Sequence, residues 1–282
     1  MKLVLGILAV VGALALAWFM TRPPTLVVPP PASPVVEAPT APAADGSSAD
    51  GGGQPAFPID RLVLSGGEVD TDASRPAAGA PAQVAGEPVP SLADSGPAVE
   101  SWLGWAIGSG GRGLLAGSDV VRRVVATVDN LSREKASVRL WPVSTAAGLP
   151  VVDSRSGGPL LMPANSARYA AFVELAESVD VDALISGYKA LYPVFQEAYR
   201  ELGYPTGNFN DRLVGAIDHL LASPEIEGPI ALVQPKVIYQ FADPELESLS
   251  AGQKIMVRIG PDNARRIKQR LRVIRRRLAG QR

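Results

Sequence analysis

Residues 198–221 read AYRELGYPTGNFNDRLVGAIDHLL, and two helical patterns meet within this stretch. Gly203, Pro205 and Gly207 separate the two patterns, and glycine and proline are the residues that most strongly favour turns. The stretch also contains His219, which is the single histidine of the chain. We therefore expect two helices joined by a turn, with the candidate polar chemistry gathered near that turn.

The helix before the turn is predicted to begin at a cap from Asp180 or Asp182 and to end at Gly203. Pro193 is expected to kink or split it. Its apolar positions recur at three- and four-residue steps, which is the pattern of one buried helical face: Leu184, Tyr188, Leu191, Tyr192, Phe195, Tyr199 and Leu202. The four aromatic residues could form a stacking platform for a sugar or a peptide, but a packed core is favoured.

The helix after the turn carries the catalytic candidates. Asn210 is expected to cap it, and a buried face is predicted from four apolar residues, Leu213, Ile217, Leu220 and Leu221. Asp211, Asp218 and His219 should lie near one another on the remaining surface, because seven or eight residues make about two helical turns. Two carboxylates and an imidazole suit acid–base catalysis. Structural packing of these polar groups is the alternative, and it is favoured.

No metal or cofactor is predicted. A lone histidine is a poor zinc site, and the absence of cysteine excludes disulfides, thiolate metal sites and a cysteine nucleophile. GSGGRG at 108–113 lacks the lysine of a phosphate-binding loop and is interpreted as a flexible turn.

The C-terminal helix is predicted at 261–278, with an apolar stripe and arginines on its other faces. Either the arginines are solvated while the stripe docks, or they bind an anionic envelope component or an acidic protein. Nucleic acid is not expected as a partner. Binding candidates in the chain are Asn210, Arg212, Arg272, Arg275, Arg276 and Arg277.

The remaining pattern predicts an α+β, mainly α domain with a small β-sheet. Helices are expected from Asp94 or Ser95 to Ile107, at 165–177 with an Asn165 or Ser166 cap, and at 250–259, where a strand is the alternative. Strands are expected at 137–143 and, as one strand or two broken at Pro235, at 229–241. A helix is predicted to start at Ser118 and to pass into a valine-rich strand that ends at Asp129. A turn or short helix is predicted to begin at Asp243.

The N-terminal part differs from this domain in composition. Residues 3–20 are eighteen uncharged residues, LVLGILAVVGALALAWFM, long enough for a single transmembrane helix. Small residues near Ala15 leave a cleavable signal peptide as the alternative. Lys2 and the N-terminus outweigh Arg22, which predicts a cytoplasmic N-terminus and a periplasmic C-terminal domain.

Residues 23–90 are expected to form a disordered arm. They hold 14 of the 26 prolines, with eight acidic residues against two arginines. A short apolar patch at 59–64 could dock on another surface, but a transient segment is favoured. Residues 261–282 hold nine basic residues against one acid, so the net charge of −1 conceals a polarised chain. We thus expect an anchor at 1–22, an arm at 23–90 and a folded domain at 91–282.

From Val128 onward the chain resembles a proteobacterial family catalogued as a domain of unknown function, number 3014. The residues that carry the resemblance include Val128-Asp129-Asn130-Leu131, Leu202-Gly203-Tyr204-Pro205, Phe209-Asn210-Asp211-Arg212-Leu213, Ile217-Asp218-His219-Leu220-Leu221, Phe241-Ala242-Asp243-Pro244, Ala251-Gly252-Gln253-Lys254 and Gly260-Pro261. The resemblance implies an N-terminal membrane anchor and no known activity, substrate or cofactor.

Two functional hypotheses follow from the sequence. The first is a non-enzymatic envelope interaction module, held at the inner membrane through residues 3–20 and extended into the periplasm by the arm. The second is a cell-wall polymer hydrolase or lyase that uses Asp211, Asp218 and His219.

Overall fold

The computed structural model describes residues 54–62, 89–107, 119–134, 149–155, 157–236 and 238–281, and for residues 103–107 only the backbone. The predicted anchor, most of the arm, the glycine-rich turn at 108–113 and the predicted strand at 137–143 lie outside these residues. Among the described helices, none combines the length and the apolar character needed to cross a membrane.

Helices dominate the described part of the chain, as the sequence predicts. In chain order they are α1 (Gly96–Ile107), α2 (Val120–Asn130), α3 (Ala170–Glu177), α4 (Val181–Glu201), α5 (Phe209–Leu221), α6 (Pro244–Ser248), α7 (Ala251–Arg258) and α8 (Pro261–Leu278). Short 3₁₀ segments lie at Ile59–Arg61 and Pro163–Tyr169. The helices α2, α4, α5 and α8 pack on one another around the main core.

A small antiparallel sheet forms the second layer, with the strand order β1 (Val152–Asp153), β2 (Leu160–Leu161), β3 (Ile230–Val233) and β4 (Gln240–Phe241). Its register pairs Leu160 with Ala231 and Leu232 with Phe241. Of the two arrangements expected within 229–241, one strand or two, the structure has two short strands, β3 and β4. A satellite core lies between the sheet and α7, built from Leu161, Ile230, Leu232, Phe241 and Val257.

The predicted strand at the end of 118–128 is wrong, because this segment is the helix α2. Its valines fit both patterns, since Val121, Val124, Val125 and Val128 recur at helical steps as well as being favourable in strands. All four are at most 4% exposed, so burial of one helical face against α4 and α5 outweighs the strand preference of valine. Tertiary packing decides the conformation here.

The caps and breaks of the central helices differ in part from the sequence expectations. Asp180 caps α4 by accepting from the amides of Asp182 and Ala183, as predicted. The helix then continues through Pro193 for 21 residues, so the predicted split does not occur. Asn210 does not cap α5, because the N-cap residue is Asn208 and Asn210 lies buried in the first turn.

Helix α3 begins later than expected. The residues from Pro163 to Tyr169 form a 3₁₀ segment, and Asn165 is not a helix cap. Its side chain accepts a hydrogen bond from the Val151 amide at 3.1 Å and donates one to the Arg258 carbonyl at 3.2 Å. Asn165 thereby connects the sheet layer to α7.

The helices at 94–107, 250–259 and 261–278 are confirmed. Ser250 caps α7 by accepting from the Gln253 amide, and Asp243 caps the short helix α6. The apolar stripe of α8 is at most 1% exposed and consists of Ile267, Leu271, Ile274 and Leu278.

Candidate functional site

The turn between α4 and α5 is built around the buried side chain of Gln196. Its amide nitrogen donates to the Gly207 carbonyl at 2.7 Å, and its oxygen accepts from the Phe209 amide at 2.9 Å and from the Tyr192 hydroxyl at 2.8 Å. Gly203 has φ 116°, which a residue with a Cβ rarely adopts. These contacts set the direction in which α5 leaves the turn.

The first turn of α5 holds part of the N-terminal arm. The two carboxylate oxygens of Asp211 accept from the Ala56 amide at 3.0 Å and the Phe57 amide at 2.7 Å. The neighbouring Asn210 donates to the Phe57 carbonyl at 2.7 Å and, more weakly, to the Leu278 carbonyl at 3.4 Å. Asp211 and Asn210 thus act on the backbone of the arm.

Residues 54–62 are therefore a docked segment of the domain surface. Leu62 is 8% exposed, and Phe57 and Ile59 pack partly buried against the main core. The favoured interpretation of the apolar patch at 59–64 as transient is wrong for residues 59–62. Their apolar side chains pack against the main core, and local sequence does not show where that surface lies.

Asp218 and His219, at the other end of α5, have separate partners. Asp218 forms a two-point ion pair with Arg275 of α8, with N–O distances of 2.9 and 3.1 Å. His219 Nε2 hydrogen-bonds with the Ser250 hydroxyl at 2.7 Å, and the His219 carbonyl accepts from the Gln253 side chain at 3.3 Å. Burial, and then the charge of Arg212, lower the pKa of His219 below its ordinary value.

The three catalytic candidates consequently serve three different contacts. Within the described residues, Asp211 holds the arm, Asp218 holds α8, and His219 holds the start of α7. No hydrogen bond joins any two of them in this part of the chain. Among the described side chains, no group of three His, Asp or Glu residues could hold a metal ion.

Arg212, a binding candidate from the sequence, belongs to a polar cluster that the sequence did not predict. Its Nη2 donates to the Asp129 carbonyl and, at 2.7 Å, to the Ser132 hydroxyl. Its Nε lies 3.1 Å from Asp129 Oδ1 in an ion pair, although this contact lacks the angle of a hydrogen bond. Arg133 donates to Asp129 Oδ2 at 2.7 Å and to the Tyr204 hydroxyl at 2.8 Å.

One buried carboxylate therefore faces two arginines in this cluster. The Asp129 side chain is 4% exposed, and those of Arg133 and Arg212 are 50% and 29% exposed. The Tyr204 ring stacks on Tyr199 with 4.5 Å between ring centroids. The cluster joins the end of α2 to the turn and to α5, so it positions the first turn of α5. Its available sequence signal was the four-residue spacing of Asp129 and Arg133, although Arg133 lies in the turn that follows α2.

The α8 arginines divide into engaged and exposed residues. Arg275 pairs with Asp218, and Arg277 lies 3.8 Å from Asp182. Arg272 and Arg276 are exposed. The hydrogen bond from Lys268, and less strongly the charges of Arg265 and Arg272, lower the pKa of the Glu225 carboxyl, which shows that this acid lies near Arg272. Of the four tail candidates, Arg272 and Arg276 are thus the two that face solvent most openly.

These features define a mainly helical α+β domain whose polar residues gather on the turn between α4 and α5. The chain belongs to the family described as protein of unknown function (DUF3014), whose model matches residues 120–275, more than half of the chain. The family resemblance expected from the sequence is thereby confirmed. No curated protein and no solved structure matches the chain.

Proposed function

We propose that the chain is a membrane-tethered interaction module and not an enzyme. In this proposal residues 3–20 anchor it in a bacterial inner membrane, the proline-rich arm extends from the anchor, and the folded domain binds an envelope component in the periplasm. The length and apolar character of residues 3–20 support the anchor. The composition of the arm supports its role as a spacer.

The observation that carries the non-enzymatic assignment is the use of Asp211, Asp218 and His219 in three separate structural contacts. A hydrolase or lyase of the rival hypothesis needs an acid and a base that converge on one scissile bond. Here the Asp211 carboxylate accepts hydrogen bonds from two backbone amides, and the Asp218 carboxylate accepts hydrogen bonds from two nitrogens of the Arg275 guanidinium. The carboxylate oxygens of both residues are therefore engaged by donors of the same chain. This arrangement favours binding over catalysis.

An anionic partner has an available surface on α8. The exposed Arg272 and Arg276 are four residues apart and lie on one helical face, opposite the buried apolar stripe. Such a ridge would attract a lipid headgroup, an acidic wall polymer or an acidic protein through charge.

The proposal is tested by mixing the purified full chain, in detergent, with purified insoluble wall polymer. We expect co-sedimentation of the chain with the polymer and no soluble fragments in the supernatant. The matched His219→Ala chain should co-sediment equally well. Fragment release that disappears in His219→Ala would overturn the assignment in favour of the hydrolase or lyase, and a chain that stays in the supernatant would remove wall polymer as the ligand.

A further inference from the structure

The contact between α5 and residues 54–62 has the chemistry of peptide recognition. Asp211 accepts from two successive amides of the segment, and Asn210 donates to the carbonyl of the second residue. These three hydrogen bonds involve only the backbone of the segment, so they would form with other residues at the same positions. Binding to backbone groups, with side-chain contacts adding selectivity, is how many domains hold extended peptides.

The side-chain contacts supply the selectivity. Phe57 packs partly buried against the core, and its ring lies 5.9 Å from the Arg275 guanidinium. Ile59 also contacts the core, and Leu62 is buried. Pro58, which carries no N–H, stands between the aromatic and the aliphatic residue and is followed by the single turn of 3₁₀ helix at Ile59–Arg61. These contacts favour an aromatic residue followed, across Pro58, by an aliphatic one. We call the surface that Asn210, Asp211, Arg275 and Gly280 present to the segment the groove.

The walls of the groove come from parts of the fold that are held independently of the segment. Asn210 is 1% exposed and also contacts Tyr188 and the end of α8, while Arg275 is fixed by Asp218. Gly280 follows α8 with φ 71°, and a Cβ at this position would lie 2.8 Å from the Arg61 carbonyl. The segment fits closely against this glycine.

The groove and its occupant belong to separate parts of the sequence. Asn210, Asp211 and Arg275 lie within the residues matched by the family model, whereas residues 54–62 precede them. Residues 63–88 separate the segment from the next described residue, Val89. The composition of the arm predicts a flexible connection here. A connection of that kind and length would supply an effective concentration in the millimolar range, so even a weak peptide site would be filled by the chain's own segment.

We propose that this groove is a peptide-binding site for extended segments with the sequence aromatic–proline–aliphatic, and that residues 54–62 are its internal ligand. A partner protein that presents such a segment displaces the internal one. The inference rests on the proposed interaction function and names the class of partner. Displacement would also release residues 54–62 into the arm and lengthen the free tether between membrane and domain.

The test uses the full chain in detergent and a fluorescent synthetic peptide, QPAFPIDRL, which copies residues 54–62. Phe57→Ala in the chain weakens the internal ligand while leaving the groove intact. We expect fluorescence anisotropy to give an apparent affinity for this chain at least about tenfold higher than for the wild-type chain, because the internal competitor is weaker. A peptide with alanine in place of the phenylalanine should bind at least about tenfold more weakly than the parent peptide.

A second variant tests the backbone contacts. Adding Asp211→Asn to the Phe57→Ala chain leaves one acceptor oxygen where two face the amides of the segment. Measurable peptide binding should be lost. Urea unfolding confirms that the double variant is folded. Equal peptide affinity for the wild-type and Phe57→Ala chains, or binding that survives Asp211→Asn, would overturn the peptide site. So would a wild-type chain that is dimeric by light scattering and becomes monomeric on adding peptide, since the partner segment would then come from a second copy. None of these outcomes alters the wall-polymer result, so the two proposals fail separately.

Discussion

Several cationic side chains are buried in this domain, and each is stabilised by specific oxygen atoms or ring contacts. The Lys254 ammonium is held by the Glu247 carbonyl at 2.9 Å and the Glu247 carboxylate at 3.2 Å. Arg258, which is 6% exposed, lies 4.7 Å from the centre of the Phe241 ring and contacts the Tyr239 carbonyl at 3.4 Å. Burial lowers the pKa of Arg258, and the nearby Glu247 carboxylate opposes that effect. Glu247 therefore pairs with the buried Lys254 and places a negative charge near the buried Arg258.

Glu247→Gln should destabilise the domain by about 1–3 kcal/mol, because it removes the carboxylate from a buried lysine and from the vicinity of a buried arginine. The free energy of unfolding in urea measures the effect. Glu245→Gln is the matched control, since Glu245 lies in the same helix but is exposed. Equal stability of the two variants would contradict the role assigned to Glu247.

The lowered pKa of His219 predicts how the stability of the domain depends on pH. Its pKa in the folded chain is below the ordinary value of 6.5, so the unfolded chain binds a proton more tightly than the folded one. The contribution of His219 to the free energy of unfolding is therefore complete above the pKa that His219 has in the unfolded chain. It declines as the pH falls through 6.5 toward the lower pKa of His219 in the folded chain. Urea unfolding at pH 7 and pH 5 should show a loss of stability that is smaller in His219→Gln. Because His219 is the single histidine, an unchanged loss in the variant would contradict its assignment.

At the scale of elements, Trp102 of α1 packs on α4. Trp102 is 4% exposed, and a Cβ placed on Gly187 would lie 1.7 Å from the indole nitrogen. The ring thus occupies the space that the missing side chain leaves on α4, and it meets Phe195 edge-on at 6.2 Å between centroids. Only glycine at 187 permits this approach.

Gly187→Ala should therefore destabilise the domain by about 1–3 kcal/mol through overpacking, despite the higher helix propensity of alanine. Gly215→Ala in α5 is the control, because nothing lies within 4 Å of a Cβ there. The control should be stabilised by up to about 1 kcal/mol. Urea unfolding distinguishes the two, and a neutral or stabilising Gly187→Ala would mean that Trp102 does not require this contact.

Helix α8 combines a buried apolar stripe with the exposed Arg272 and Arg276. The contribution of these two arginines to lipid binding can be measured in a chain that begins at Pro23 and so lacks the apolar N-terminal stretch. Replacing both arginines with glutamine should weaken sedimentation with anionic vesicles about thirtyfold, from about 1 kcal/mol for each charge at a lipid surface. The matched control replaces Arg265 and Arg266, which already pair with Glu227 and Glu177. Equal losses in both double variants would indicate an effect of net charge rather than of this ridge.

At the scale of the whole molecule, the docked segment changes the reach of the tether. For the flexible coil that the composition predicts, residues 23–90 would span about 45 Å, and residues 23–53 alone would span about 30 Å. Docking of residues 54–62 would therefore hold the domain nearer the proposed anchor. In this proposal, release of the segment would link peptide binding to the position of the domain.

The proposed topology makes a direct prediction in cells. Alkaline phosphatase fused after Arg282 should be active, because the C-terminal domain is expected on the periplasmic side. The same fusion without residues 3–20 should be inactive, which ties export to that stretch. Fluorescence from a cytoplasm-specific reporter at the same position, with an inactive phosphatase, would reverse the orientation and remove wall polymer as a ligand.

Periodic patterns in the sequence predicted the elements that depend on local chemistry. The apolar stripe of α8, that of α4 except for Leu202, the Asp180 cap, the Gly203 terminus and the Ser250 helix start all depend on residues close in sequence. Leu202 lies beyond the end of α4 and is 41% exposed, so its predicted burial is wrong. Valine is favourable in strands but also fits a helical pattern, so the valines of 120–128 predict a strand for part of the segment that forms α2. The short apolar patch that begins at Ile59 likewise does not reveal which surface it meets, although residues 54–62 dock on the domain.

The sequence by itself determined the mainly helical α+β class, the family, the polarity of the chain and the identity of the polar residues on α5. Tertiary structure alone decided what those residues do. Asp211, Asp218 and His219 are close in sequence, yet each meets a partner from a different, distant element: the arm, α8 and the start of α7. The physical reason is that a hydrogen bond depends on the position of both its atoms, and the second atom in each case is placed by the packing of the whole domain.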